Sequence, residues 1–186
     1  MASERNPQYQ YEMLFLIDGY NLIFECGLHG RTIDSQSLEK ARHRLLSDIE
    51  KRLGAAAKDT TVVFDAQKIM MSGQQETNFF GSIRVLYSIH YPDADSMIEE
   101  LISKHPSPKK LTVVSSDHRL QKAAFKRKAA AIDSGDWYDR LLEGKYETRS
   151  HQAGDSMETS ARDFSLSSEE LKMMGEAIDE ITKYLK

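Results

Sequence analysis

A chain of 186 residues, 40% hydrophobic and 29% charged, has room for one α/β domain and a tail and hardly for two full domains. No apolar run approaches the roughly 20 residues that span a bilayer, the polar stretch 1–10 lacks the apolar segment of a signal peptide, and the single Cys26 excludes an internal disulfide. The expectation is a reduced, cytoplasmic protein.

The net charge of −4 does not announce a nucleic-acid binder. Carboxylates that hold a metal ion, however, lower the net charge without repelling a polyanion once the ion is bound. Basic residues also gather at Lys104, Lys109, Lys110, His118, Arg119, Lys122, Lys126, Arg127 and Lys128, a cluster that equally suits a solvated helix face.

In chain order, residues 13–17 (MLFLI) form a continuous apolar run that stops at Asp18-Gly19, the pattern of a strand covered on both faces. Asp34 or Ser35 caps a helix with Leu38, Ala41, Leu45, Leu46, Ile49 and Leu53 at helical spacing, and Gly54 ends it. Residues 61–64 (TVVF) are a second strand, ending at Asp65. Residues 67–82 lack a period, hold Gly73 and Gly81, and are expected to include a loop at the sheet edge.

Alternation of Val85, Tyr87 and Ile89 predicts a strand over 84–90, and Ile98, Leu101 and Ile102 predict a helix over 94–104. Residues 111–114 (LTVV) are a buried strand, followed by Ser115-Ser116-Asp117 and a basic helix. A weaker strand over 129–132 and a short helix over 134–142 complete the pattern, β-α-β-loop-β-α-β-α-β, which implies a mainly parallel sheet of about five strands. The expected domain covers 12–147, a polar linker 148–166, and a C-terminal amphipathic helix 167–186, whose stripe of Leu171, Met174, Ile178, Ile181 and Leu185 docks on its own domain or joins two chains.

Three apolar strands end alike, at Asp18, Asp65 and Asp117. Parallel strands put their carboxyl ends on one rim, where open α/β sheets bind ligands. Asp95, near the start of the next helix, can face the same rim, and Glu99 lies one turn further on. Gathered carboxylates repel one another unless a cation stands between them. A hard divalent ion with oxygen ligands, Mg²⁺ or Mn²⁺, is the usual resolution, and it activates water against phosphorus. Asn21 is placed to orient Asp18 or a phosphate oxygen.

Each acid has a plainer reading. Asp18-Gly19 suits a turn, and Asp65, Asp93 or Asp95, and Asp117 suit helix or turn caps. The six histidines show no HxxxH spacing, so zinc is not expected. Cys26 reads as a packed thiol, having no base assigned to it. Tyr20, Phe79 and Phe80 suit either base stacking or packing.

Ile17-Asp18-Gly19-Tyr20-Asn21 resembles the DGYN signature of NYN domains, particularly the YacP-like group. Val63-Phe64-Asp65-Ala66 resembles that group's FDA motif, Ala94-Asp95 with Ile98-Glu99 its AD-x-x-IE element, and Ser115-Ser116-Asp117 with Gln121 its (T/S)SD-x-x-x-Q. The four matches fall in the family's order. The resemblance implies a PIN-like three-layer α/β/α fold with strand order 3-2-1-4-5 and a divalent-cation-dependent endoribonuclease acting on single-stranded or ribosome-associated RNA. It implies Asp18, Asp65, Asp95 and Asp117 as metal-site acids and catalytic residues with Asn21, supported by Ser116 and Glu99. Arg119, Lys122 and Tyr20 are expected to touch RNA.

The alternative is a non-catalytic RNA-binding adaptor on the same fold. A haloacid-type phosphatase wants an Asp where Tyr20 stands. A receiver domain wants a second acid beside Asp18 and a Lys within 129–134, and the chain has neither.

Overall fold

The computed structural model describes residues 14–30, 34–66 and 76–145. The expected terminal helix 167–186 and linker 148–166 lie outside the described residues. Along the chain run β1 (Phe15–Asp18), α1 (Gly19–Glu25), α2 (Ser35–Leu53), β2 (Thr60–Phe64), β3 (Thr77–Phe80), β4 (Ile83–Tyr87), α3 (Ala94–Lys104), β5 (Thr112–Val114), α4 (His118–Lys126), β6 (Ala130–Ile132) and α5 (Ser134–Leu142).

The sheet order is β3-β4-β2-β1-β5-β6. Every pairing is parallel except β3 with β4. Its five parallel strands follow the order expected from the motifs. The sixth, β3, is a strand not expected within 67–82, a stretch read as including a loop at the sheet edge: Thr77–Phe80 folds back on β4 through a turn at Gly81-Ser82. Gly81 has a φ of +56°, a conformation glycine adopts without steric cost. The Glu50 carboxylate of α2 accepts from the Ser82 backbone N–H at 3.1 and 3.2 Å and ties the turn down.

Strand residues alternate between two apolar clusters. Ile17, Val62, Phe64, Val85 and Val114 face α1, α2 and α5, while Leu16, Val63, Leu86 and Val113 face α3 and α4. The sheet is thus covered on both sides, which is why its inner strands read as unbroken apolar runs. Asp34 caps α2, accepting from Ser37 N at 2.8 Å. Gly54 follows its last turn.

Helix α1 has no forecast in the sequence reading. Seven residues are too few to hold a helix alone, so burial does it. Leu22 and Ile23 are fully buried, each contributing about 1.5–3 kcal/mol relative to exposure. Glycine is required at its first residue, because a Cβ on Gly19 would stand 2.3 Å from Phe64 Cε1.

The chain passes from β1 to β2 through α1 and α2 on one face, and from β4 through β5 to β6 by way of α3 and α4 on the other. The direction of winding therefore reverses between β1 and β5, the position where open α/β sheets form a ligand crevice. No helix among the described residues is long and apolar enough to cross a membrane.

Candidate active site

The switch point is built from the ends of β1 and β5. Asp18, 6% exposed, is the last residue of β1. Its Oδ1 accepts from Asn21 N at 3.1 Å, capping α1, and its Oδ2 accepts from the Ser115 hydroxyl at 3.4 Å. The same hydroxyl oxygen accepts from Asp117 N at 3.1 Å. Ser115, fully buried, therefore links the two acids across the switch point. The Gln121 amide donates to Ser115 O at 2.9 Å and holds the turn from below.

Asn21 joins three segments. Its Oδ1 accepts from Ser116 N at 2.9 Å and from the Ser134 hydroxyl at 2.7 Å. Because Ser116 N–H can only donate, the amide orientation is set, and its NH₂ is left as a donor. Ser116 Oγ in turn accepts from Ser134 N at 3.3 Å. Ser116 supports the rim through its backbone and hydroxyl.

Asp117 caps α4, its Oδ1 accepting from Arg119 N at 2.6 Å. The cap of α3 is Asp93, which accepts from Ser96 N at 2.7 Å, and hydrogen bonds from the Ser96 side chain and N–H hold its carboxyl below the usual range. Asp95 stands in the first turn of α3 and makes no side-chain hydrogen bond to the described residues. Loss of water pushes its carboxyl up, and the charges of Asp117, Asp93 and Glu99 add to the push, opposed by Arg119. Glu99 holds Arg119 in a two-point ion pair, Nε to Oε1 at 3.0 Å and Nη2 to Oε2 at 2.6 Å. Asp65 follows β2, the strand beside β1, and its charge reaches the Tyr20 phenol.

The structure thus gathers Asp18, Asp117, Asp95, Asp65 and Asn21 along one rim. The acids do not converge on one point. Among the described residues no three His, Cys, Asp or Glu side chains form a group that could hold a metal ion. Asp18 and Asp117 both act as helix caps, the plainer role open to Asp117 in the sequence, where Asp18-Gly19 suited a turn. The donors are all hard oxygens, a set that fits Mg²⁺ or Mn²⁺ and disfavours softer metals.

One expectation changes. The Tyr20 ring is 3% exposed, packed between Phe24 and Phe64, and its hydroxyl accepts from Arg42 at 2.7 Å, so its face is closed to a base. Glu99 serves the rim through Arg119. Ser115 and Ser134 were missed as site residues. Ser115 sits inside the Ser115-Ser116-Asp117 motif, while Ser134 gave no signal, being 113 residues from its partner Asn21.

A parallel sheet wound both ways, covered by helices on both faces and carrying acids at its switch point, has the architecture of a PIN-like nuclease fold. The chain matches the family model of the YacP-like NYN domain over residues 15–179 and belongs to that family. It is similar to the crystal structure of Rae1 (YacP) from Bacillus subtilis, with 21% identity and a TM-score of 0.54, covering 71% of this chain and 75% of that one. The crystal structure of a tryptophan-to-leucine mutant of the same protein gives 22% identity and a TM-score of 0.53, covering 72% and 77%. At these identities the likeness is one of fold. Comparison with curated proteins finds no significant match.

Proposed function

We propose that the chain is a divalent-cation-dependent endoribonuclease that hydrolyses RNA phosphodiester bonds at the acidic rim, on single-stranded or ribosome-associated RNA. The observation that carries this reading is Asp95. A partly buried carboxylate without a hydrogen bond to the described residues, set beside Asp117, Asp93 and Glu99, is unfavourable in the bare chain and becomes favourable when a cation stands among the acids.

Asp18, Asp65, Asp95 and Asp117, which do not meet at one point in this structure, would have to turn toward a shared Mg²⁺ or Mn²⁺ to hold it. When bound, the ion supplies a water acidic enough to attack phosphorus near neutral pH and neutralises charge in the in-line displacement. The chain's own part is placement. Asn21, locked by Ser116 and Ser134, presents its NH₂ donor to a phosphate oxygen. Ser115 keeps Asp18 and Asp117 in register, and Arg119 supplies a fixed positive charge at the edge of the rim.

The cap bonds of Asp18 and Asp117 favour a second reading, an RNA-binding adaptor that keeps the fold without catalysis. Labelled single-stranded RNA incubated with Mg²⁺ or Mn²⁺ separates the two. Cleavage that chelator abolishes, and that Asp18→Asn lowers by about 100-fold or more, is the expected result. Cleavage indifferent to chelator and to the substitution would reject the metal reading, and binding without cleavage would establish the adaptor.

A further inference from the structure

Helix α4 carries a one-sided charge that the chain as a whole does not. Between residues 118 and 128 stand Arg119, Lys122, Lys126, Arg127 and Lys128 with no acid among them, in a chain of net charge −4, and all are exposed. At 100° per residue, Arg119, Lys122 and Lys126 share one side of the helix. Together with Glu99 and Ala123 they line a groove of about 380 Å³ where α3 and α4 meet.

The groove starts at the rim. Asp117 caps the same helix, and Arg119 bears on the charges of Asp93 and Asp95. The Glu99 carboxylate fixes the Arg119 guanidinium through two of its nitrogens, so the third, Nη1, remains to meet an incoming anion. Phe125 is 83% exposed, the most exposed large apolar side chain among the described residues. It follows Lys122 by three residues, about 60° round the helix. Exposed aromatics beside cations are how single strands are held, since a base stacks on the ring while phosphates take the charges.

We propose that the α3–α4 groove is the track along which single-stranded RNA leaves the acidic rim, with Arg119, Lys122 and Lys126 on its phosphates and Phe125 stacked on an unpaired base. This rests on the nuclease reading only in taking RNA as the ligand. Arg119 to Lys126 spans about 10 Å, or roughly three stacked nucleotides at about 3.4 Å each. Glu99 is a positioning residue for Arg119. A duplex keeps its base faces paired and stacked, so only the charges would engage it.

The test uses the full chain in chelator, with a fluorescein-labelled single-stranded oligoribonucleotide and a hairpin duplex of the same composition. Lys122→Gln/Lys126→Gln is expected to weaken single-strand binding about tenfold and to flatten the dependence of log K on log salt by about 1.4, two contacts at about 0.7 each. Lys51→Gln/Lys58→Gln, which removes the same charge elsewhere, stays within about twofold of the parent. Phe125→Ala weakens single-strand binding about tenfold with duplex binding unchanged, and Phe125→Trp restores it. Denaturation midpoints verify that each variant is folded.

Equal binding by the two lysine pairs overturns the track, as does a Phe125→Ala variant with full single-strand affinity or a parent that binds no RNA. If Phe125→Ala instead breaks a self-associated form while RNA binding persists, the ring is a contact between copies and the proposal falls. The two readings fail separately. A parent that binds RNA through the groove but never cleaves sinks the nuclease alone, and a groove variant that cleaves with the parent's KM sinks the track alone.

Discussion

Asn21 shows how much a single side chain holds at the rim. Its carbonyl oxygen accepts from Ser116 N and from Ser134 Oγ, the latter on a fully buried residue. Asn21→Ala leaves both donors without that acceptor, at a cost of about 1–3 kcal/mol. The urea midpoint should fall accordingly, and an unchanged midpoint would mean that water replaces the amide. Cys26 is the other residue whose chemistry its surroundings set. Burial, reinforced by the charges of Asp139, Glu25 and Asp133, pushes its thiol up to about 11. Thiolate is the reactive form. Alkylation by iodoacetamide should therefore keep rising by about tenfold per pH unit beyond pH 9 in the folded protein, while the urea-unfolded chain levels off near the ordinary thiol value of about 8.5. A folded-state rate that levels off as early would contradict the burial.

The elements that form the site are short and depend on what they touch. Helix α1 begins at Gly19, against the Phe64 ring of β2. Gly19→Ala drives a methyl into that ring, and overpacking of this kind costs about 1–3 kcal/mol. The melting temperature should drop by several degrees. Cleavage should fall with it, because α1 carries Asn21 and is capped by Asp18. A variant that melts like the parent would show that the Phe64 ring can move aside. Strand β3 depends on its neighbour in the same way, through backbone pairing with β4 and the grip of Glu50 on its turn.

At the scale of the whole molecule, the proposed cation site ties ion binding to stability. If a cation binds at the rim as proposed, it offsets the loss of water and the like charges that push the Asp95 carboxyl up, so binding should stabilise the native state. At a cation concentration 100 times its dissociation constant the gain is about 2.7 kcal/mol, several degrees in melting temperature. Asp95→Asn removes a partly buried charge among like charges. It should melt at or above the parent in chelator, yet gain less from Mg²⁺ or Mn²⁺. Scanning calorimetry of both proteins with and without the ion checks this, and identical cation shifts would remove Asp95 from the proposed ligand set.

The parallel strands and the long helices were legible in the sequence because their signals are local. Strands buried on both faces read as VVF or LTVV, the α2 stripe repeats at helical spacing between Asp34 and Gly54, and α3 and α5 fall where their apolar positions put them. The placement of Asp18, Asp65, Asp95 and Asp117 along one rim follows from the same reading, since parallel strands share their carboxyl edge. Helix α1 escaped because seven residues carry no readable period. Strand β3 escaped because a part-exposed edge strand is selected by the backbone of β4. The caps that Asp18 and Asp117 make are local, reaching three and two residues along the chain, but the choice of Tyr20 as a core ring and the Ser115 bridge between Asp18 and Asp117 were decided by tertiary structure alone. Each depends on groups that meet only after folding, 97 residues apart for Asp18 and Ser115, and no local pattern encodes a partner at that distance.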